Sequence, residues 1–220
     1  MEVLVIGHES EFEEIEAKFG NHNELIFAED HSVLKSDVTF DCVFDFLVGE
    51  SSDNFDFYNN FTGLTIFVNI PKISLQELMY FMEGKFSNTV FGFNGLPTFM
   101  NRPLLEVSVL HKTDKDALAK ICKGLNTDFE LVNDRVGMVT PRIIFMIINE
   151  AFYTVQEGTA TKEDIDLGIK LGTNYPFGPF EWCEKMGIEN VYETLEAIYE
   201  DTKEERYKIC PLLKTEYLRS

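Results

Sequence analysis

Short apolar runs separated by polar, helix-like stretches dominate the first part of the chain. Val3–Ile6, Glu24–Phe27, Asp41–Phe46 and Thr65–Ile70 are four such runs, and Thr89–Phe93, Leu104–Leu110 and Phe129–Val132 are three more. Runs of about four to eight residues, rich in Val, Ile and Phe and bounded by turn residues, read as strands. Ser10–Phe19, after the first run, has an acidic helical pattern. Strands alternating with crossovers imply a mostly parallel, doubly wound α/β sheet. The segment DFYNNFTG, residues 56–63, is only weakly helical, so one crossover is expected to be short or irregular. A further helix is expected after the sixth run. Thr113 would cap it, with Asp116 three residues on. Leu118, Ile121 and Leu125 would form its buried stripe, and Gly124 would close it.

From about Asp134 the pattern turns wholly helical. Thr140 and Pro141 form a start signal, a cap followed by proline at the first helical position. Arg142–Val155 is apolar on nearly every side, which predicts a central buried helix. Thr161 with Asp164 starts another helix that Gly172 ends, and Pro179 opens a third that Gly187 closes. Val191–Thr202 carries Tyr192, Leu195, Ile198 and Tyr199 on one face at helical spacing. The chain therefore divides into an α/β region, residues 1–134, and an all-α region, residues 135–220.

Composition narrows the class. The chain has 220 residues, 45% of them hydrophobic and 26% charged, as expected of a globular protein. No apolar run reaches the ~20 residues a bilayer span needs, and the start, MEVLVIGHESEFEE, lacks the basic segment of a secretory signal. The formal net charge of −19 argues against nucleic acid and anionic membrane as partners. Cys42, Cys122, Cys183 and Cys210 form no CxxC pair and read as reduced thiols in a cytoplasmic protein. His8, His22, His31 and His111 show no metal-ligand spacing, so no metal site is expected.

Several segments carry a likeness. They are DRVGMVTPRI from Asp134, Asn149–Ala151, and EG followed by ATKEDIDLGIKLGTNYPFGPFEW from Glu157 to Trp182. Together they resemble the C-terminal helical domain of the 3-hydroxyacyl-CoA dehydrogenases. Further forward, Phe91–Gly95 resembles the family's H-F-F-N-P strand, and Leu104–Val107 its L-V-E-V strand, with about three residues inserted between them. At the front, Ile6-Gly7-His8-Glu9-Ser10-Glu11-Phe12 falls in the frame of I-G-x-G-x-x-G, where only the first glycine remains.

The resemblance implies a shortened Rossmann-like domain followed by the helical domain. It also implies NAD as cofactor, oxidation of a 3-hydroxyacyl-CoA to the 3-oxoacyl-CoA in fatty-acid metabolism, acyl-CoA as ligand, and a homodimer through the helical domain. Carried over residue by residue, Glu106 matches the glutamate that orients the catalytic histidine. Gly7, Glu29 and Asn94 match cofactor-side positions, and Ser74, or the gap around Pro71, matches a substrate-side serine. The histidine position itself falls at Phe91, or at Val90 if the alignment slips by one, and the family asparagine opening the long helix becomes Pro141.

Neither Phe91 nor Val90 can accept a proton. Glu9 places a carboxylate where a diphosphate would lie, and Glu11, Glu13 and Glu14 add to it. At about 4 Å and an effective dielectric of about 20, each like-charge contact costs on the order of 4 kcal/mol. The expectation is a family member whose dehydrogenase activity is much reduced or lost and whose NAD binding is impaired. The alternative is a non-catalytic acyl-CoA-binding or scaffold protein.

Overall fold

The computed structural model describes residues 1–35, 39–49, 52–82 and 86–220. The chain separates into two compact units, Met1–Met138 and Val139–Ser220.

In the first unit seven strands form one sheet. They are β1 (Glu2–Ile6), β2 (Glu24–Ala28), β3 (Cys42–Asp45), β4 (Thr65–Asn69), β5 (Thr89–Phe93), β6 (Leu104–Val109) and β7 (Asp128–Val132). The spatial order is β2-β1-β3-β4-β5-β6-β7. Every pair is parallel except β5 with β6. The seven apolar runs are thus the seven strands, and the single antiparallel pair follows from the β5–β6 loop being too short for a crossover. Helices α1 (Glu9–Phe19), α2 (Leu75–Phe81) and α3 (Lys115–Leu125) connect them.

Both faces of the sheet are buried, which explains why β1 reads VLVI without alternation. Val3, Val5, Phe44, Phe67, Phe91 and Phe93 line one face under Ile15 and Phe19 of α1 and Leu118, Cys122 and Leu125 of α3. Leu4, Ile6, Val43, Ile66, Val68 and Val90 line the other, under Leu75 and Leu78 of α2 and Phe55 and Tyr58. Those last two belong to a 3-10 stretch, Ser52–Asn60, which is the irregular crossover.

The second unit is helical: α4 (Thr140–Gln156), α5 (Lys162–Thr173), α6 (Pro179–Met186), α7 (Ile188–Thr202) and α8 (Pro211–Tyr217). The long helix α4 buries Ile144, Phe145, Ile148, Ala151 and Phe152 and packs on α6, α7 and α8. Its buried Asn149 is satisfied on both ends, donating to the Lys208 carbonyl at 3.0 Å and accepting from the Cys210 amide at 2.8 Å.

Several punctuation marks fall elsewhere than the sequence predicts. Thr113 does not cap α3; it lies in a 3-10 turn, Lys112–Asp114, that precedes the helix. Gly124 lies inside α3, where Met1 packs against the space a side chain would fill, and Asn126 ends the helix in the left-handed region. Asn174 does the same for α5, so Gly172 stays within that helix. Asparagine tolerates this conformation almost as glycine does. Thr140 is the first residue of α4, with Val139 at the cap position. The unit break comes a few residues after Asp134. The Asp134 carboxylate accepts the Leu75 and Gln76 amides, and Gly137 N–H donates to the Pro71 carbonyl, which ties this stretch to the α/β unit.

Candidate functional site

β2 and β3 lie on opposite sides of β1, so the order of winding reverses there. In doubly wound sheets, ligands bind at the carboxyl edge of the strands beside such a reversal. The residues at that edge are Gly7 after β1, Asp45 and Phe46 at the end of β3, Asn69 on β4 and Asn94 after β5. Glu106 joins them because β6 runs antiparallel and begins at this edge, with Phe93 opposite Val107.

The turn after β1 is closed by its own helix. His8 precedes α1 in an extended conformation, and its amide donates to the Glu11 carboxylate at 2.6 Å. The same oxygen lies 2.8 Å from the place of a β-carbon on Gly7. Glu9, in the middle-glycine position, is exposed. Phe12 stands where the third glycine of the pattern would be, and its ring packs on Phe27 at 5.0 Å. Beside this turn, the buried Phe46 ring lies against both Gly7 and Gly95.

Asp45 is the most heavily bonded group at the edge. It is fully buried, and one carboxylate oxygen accepts the Leu47 and Val48 amides at 2.9 and 3.1 Å. The other meets the Tyr58 hydroxyl and His31 Nε2, each at 2.7 Å. Four donors on one carboxylate fasten together the β2–β3 connection, the start of the next crossover and the 3-10 stretch. Burial beside this carboxylate raises the Tyr58 phenol well above its ordinary pKa. Sequence reading missed this cluster. Its members are 14 and 13 residues from Asp45, and no motif spacing links them.

Asn94 and Glu106 do come together. The Asn94 amide donates to the Glu106 carbonyl at 3.2 Å, and the two side chains meet at 3.5 Å. Arg102 lies near Glu106; burial lowers its pKa and the carboxylate partly offsets that. Phe91 lies opposite Phe67, and Phe67 opposite Phe44, in register across three strands. Phe44 and Phe67 stack at 4.6 Å, and Phe67 meets Phe91 at 5.2 Å. Phe91 is thus the third rung of a phenylalanine ladder in the core, and Val90, the other residue the resemblance offers for the base position, is buried on the opposite face. His111 is exposed just past β6, beside the opposite edge of the sheet from Glu106.

Two other sequence candidates lie apart from the Asn94–Glu106 pair. The Ser74 hydroxyl accepts the Glu77 amide at 3.1 Å and caps α2. Glu29 is exposed after β2, next to Asp30, which caps a short turn through Ser32. Pro141 is buried in the first turn of α4. Among the described residues there is no group of three or more His, Cys, Asp or Glu able to hold a metal. No described helix is long and apolar enough to cross a membrane. At the β1 turn a carboxylate already takes the amide of the cap residue His8, and Phe46 covers Gly7.

Comparison with known proteins bears on the ancestry of both units. Residues 137–218 match the family model described as 3-hydroxyacyl-CoA dehydrogenase, C-terminal domain. A probable 3-hydroxybutyryl-CoA dehydrogenase of Bacillus subtilis is 39% identical over 103 residues, 47% of this chain and 36% of that protein. A 3-hydroxybutyryl-CoA dehydrogenase of Clostridioides difficile is 30% identical over 148 residues, 66% of this chain and 52% of that one. The chain thus spans about half or less of the curated relatives it matches. In structure, the (S)-3-hydroxybutyryl-CoA dehydrogenase PaaH1 of Ralstonia eutropha superimposes with a TM-score of 0.73 at 20% identity, covering 99% of this chain and 93% of that one. FadB2 of M. tuberculosis gives 0.77 at 18% identity with the same coverage. At such identities these two likenesses concern the fold alone.

Proposed function

Through its helical unit the chain belongs to the 3-hydroxyacyl-CoA dehydrogenase family, and from that premise we propose that it keeps the family scaffold with the hydride-transfer chemistry much reduced or lost. The family reaction is the NAD-dependent oxidation of a 3-hydroxyacyl-CoA to the 3-oxoacyl-CoA. It needs a base on the substrate hydroxyl, oriented by a carboxylate, and a cofactor seated on the first turn. This reading assigns the orienting role to Glu106, whose side chain meets that of Asn94, a cofactor-side residue by resemblance, at 3.5 Å.

The observation that carries the proposal is Phe91. By resemblance it holds the base position, or Val90 does if the alignment slips by one, and Phe91 is fully buried among Phe44, Phe67 and Phe93. Loss of a general base alone removes about 10²–10⁴ in rate. The misfit of a dinucleotide at the β1 turn acts in the same direction. The experiment is calorimetric titration with NADH and with acetoacetyl-CoA in separate runs, together with a steady-state assay of NADH oxidation by acetoacetyl-CoA. The expected result is no saturable NADH binding and no turnover. Robust turnover would reject the reading.

The second reading, a binding or scaffold protein that acts as a homodimer or takes an acyl-CoA, draws on α5. This helix has no fully buried residue, and it exposes Leu167 and Leu171 beside Gly168 and Gly172, which have open space above them. An unpartnered apolar stripe of this kind suits a helix of a second copy. Sedimentation of the protein and of Leu171→Glu tests this, with dimer expected for the first and monomer for the second. A strict monomer in both sinks the assembly version, and silent titration with acetoacetyl-CoA sinks the ligand version. The four free, buried thiols accord with a cytoplasmic location.

A further inference from the structure

We infer that Glu11 and Phe46 of the chain itself occupy the place a dinucleotide takes in a doubly wound sheet, so that the crevice is closed from within. The inference rests on the proposed loss of NAD binding and adds to it the identity of the occupants. In such sheets a diphosphate lies against the amino end of the first crossover helix and accepts its free amides. Here one amide at that end, the N–H of the cap residue His8, already donates to Glu11 at 2.6 Å. Glu11 sits in the first turn of the same helix, so its negative charge stays beside the positive end of the helix dipole. It lies 2.8 Å from a β-carbon position on Gly7, on the surface a diphosphate would need.

Phe46 closes the neighbouring space. The last β1–β3 pair is Ile6 with Asp45, and the Phe46 amide continues the pairing by donating to the Ile6 carbonyl at 2.9 Å. Its side chain therefore leaves over the carboxyl edge. One side of the ring comes within 3.3 Å of the Gly7 β-carbon position, and the other within 2.7 Å of that of Gly95. Phe93 meets the ring edge-on at 5.2 Å, and Phe46 is 1% exposed. A side chain on Gly95 would collide with the ring, and one on Gly7 would crowd it and run into the Glu11 carboxylate. Gly7 keeps its place in the glycine-loop frame, α1 starts directly after it, and the parallel order around β1 is retained. Two side chains, Glu11 and Phe46, thus fill the edge beside β1.

The test is a gain of binding. Wild type, Glu9→Ala, Glu11→Ala and the double variant Glu11→Ala/Phe46→Ala are titrated with NADH by calorimetry. The double variant is expected to bind at least about tenfold more tightly than wild type, and Glu9→Ala to match wild type, because Glu9 is exposed and fills nothing. A double variant that unfolds cooperatively yet shows no gain overturns the inference. So does an equal gain from Glu9→Ala, which would assign the exclusion to charge alone. Should the double variant lack cooperative unfolding, Glu11→Ala alone decides. With inorganic diphosphate as probe, its His8 amide resonance is expected to shift where that of wild type does not, and a stationary resonance overturns the inference. Saturable NADH binding by wild type would instead reject the proposed function itself.

Discussion

The two units treat their family positions in opposite ways. In the helical unit, the matched residues are joints. The Asp166 carboxylate accepts the Phe180 and Glu181 amides at 2.8 and 3.0 Å and so caps α6 from the neighbouring α5. Gly178 is required beside it, because a side chain there would run into Asp166. Thr161 accepts the Asp164 amide at 3.2 Å and caps α5. These residues satisfy backbone groups that every helix end leaves open. In the α/β unit the residues at the strand edge and under it meet the protein itself: Phe91 packs in the core, Phe46 lies over two glycines, and Glu11 takes an amide. A residue that answers to the fold is constrained wherever the fold is kept.

The comparison is most exposed to failure at Phe91. Phe91→His introduces the histidine that the resemblance expects at this position, yet it places an imidazole among phenylalanine rings and removes ring contacts with Phe67. A loss of about 3 kcal/mol is expected, with no gain in acetoacetyl-CoA reduction. Urea unfolding and the NADH-oxidation assay check both halves. A variant that is stable and active would mean that the base position is still part of a working site.

Asp45→Ala tests whether the edge is held by its own side chains. It strands the Tyr58 hydroxyl, His31 and two amides, and should cost about 3 kcal/mol. Hydrogen exchange should rise first at Leu47 and Val48. Asp166→Ala, the corresponding test of a joint in the helical unit, should cost about 1–2 kcal/mol, with faster exchange at Phe180 and Glu181.

A smaller effect concerns pH. Burial raises the Glu14 carboxyl above its ordinary value, against the opposing pull of the Thr98, Met100 and Asn101 amides. A carboxyl raised on folding contributes stability below its unfolded pKa, and this is lost as pH rises through the folded one. Stability should therefore fall slightly as pH rises just above the usual glutamate range, and Glu14→Gln should flatten that segment of the curve. The smallest effect is expected at the Lys162–Glu216 ion pair, 2.7 Å long but partly exposed. A double-mutant cycle should give less than about 1 kcal/mol.

Much of the fold was legible because its signals are local. All seven strands come from apolar runs that a doubly covered sheet demands, and α5, α6 and α7 from caps and stripes that lie within a few residues of one another. The helix ends were less legible at Asn126 and Asn174, where asparagine does what glycine was expected to do. The candidate site was legible only in part. Sequence order placed Glu106 and Asn94, and the antiparallel return of β6 brought them together. Ser74 has no such partner and serves its own helix.

Charge on the first turn and the missing histidine were written in the chain itself, because both depend on which residue stands at a position next to a recognisable motif. Which acid takes the helical amide depends on where side chains point, and it is Glu11 and not Glu9. The same holds for Phe46 lying over Gly95 from across the sheet, and for His31 and Tyr58 converging on Asp45. Those contacts join residues far apart in the chain, and only the pairing of strands sets their distances.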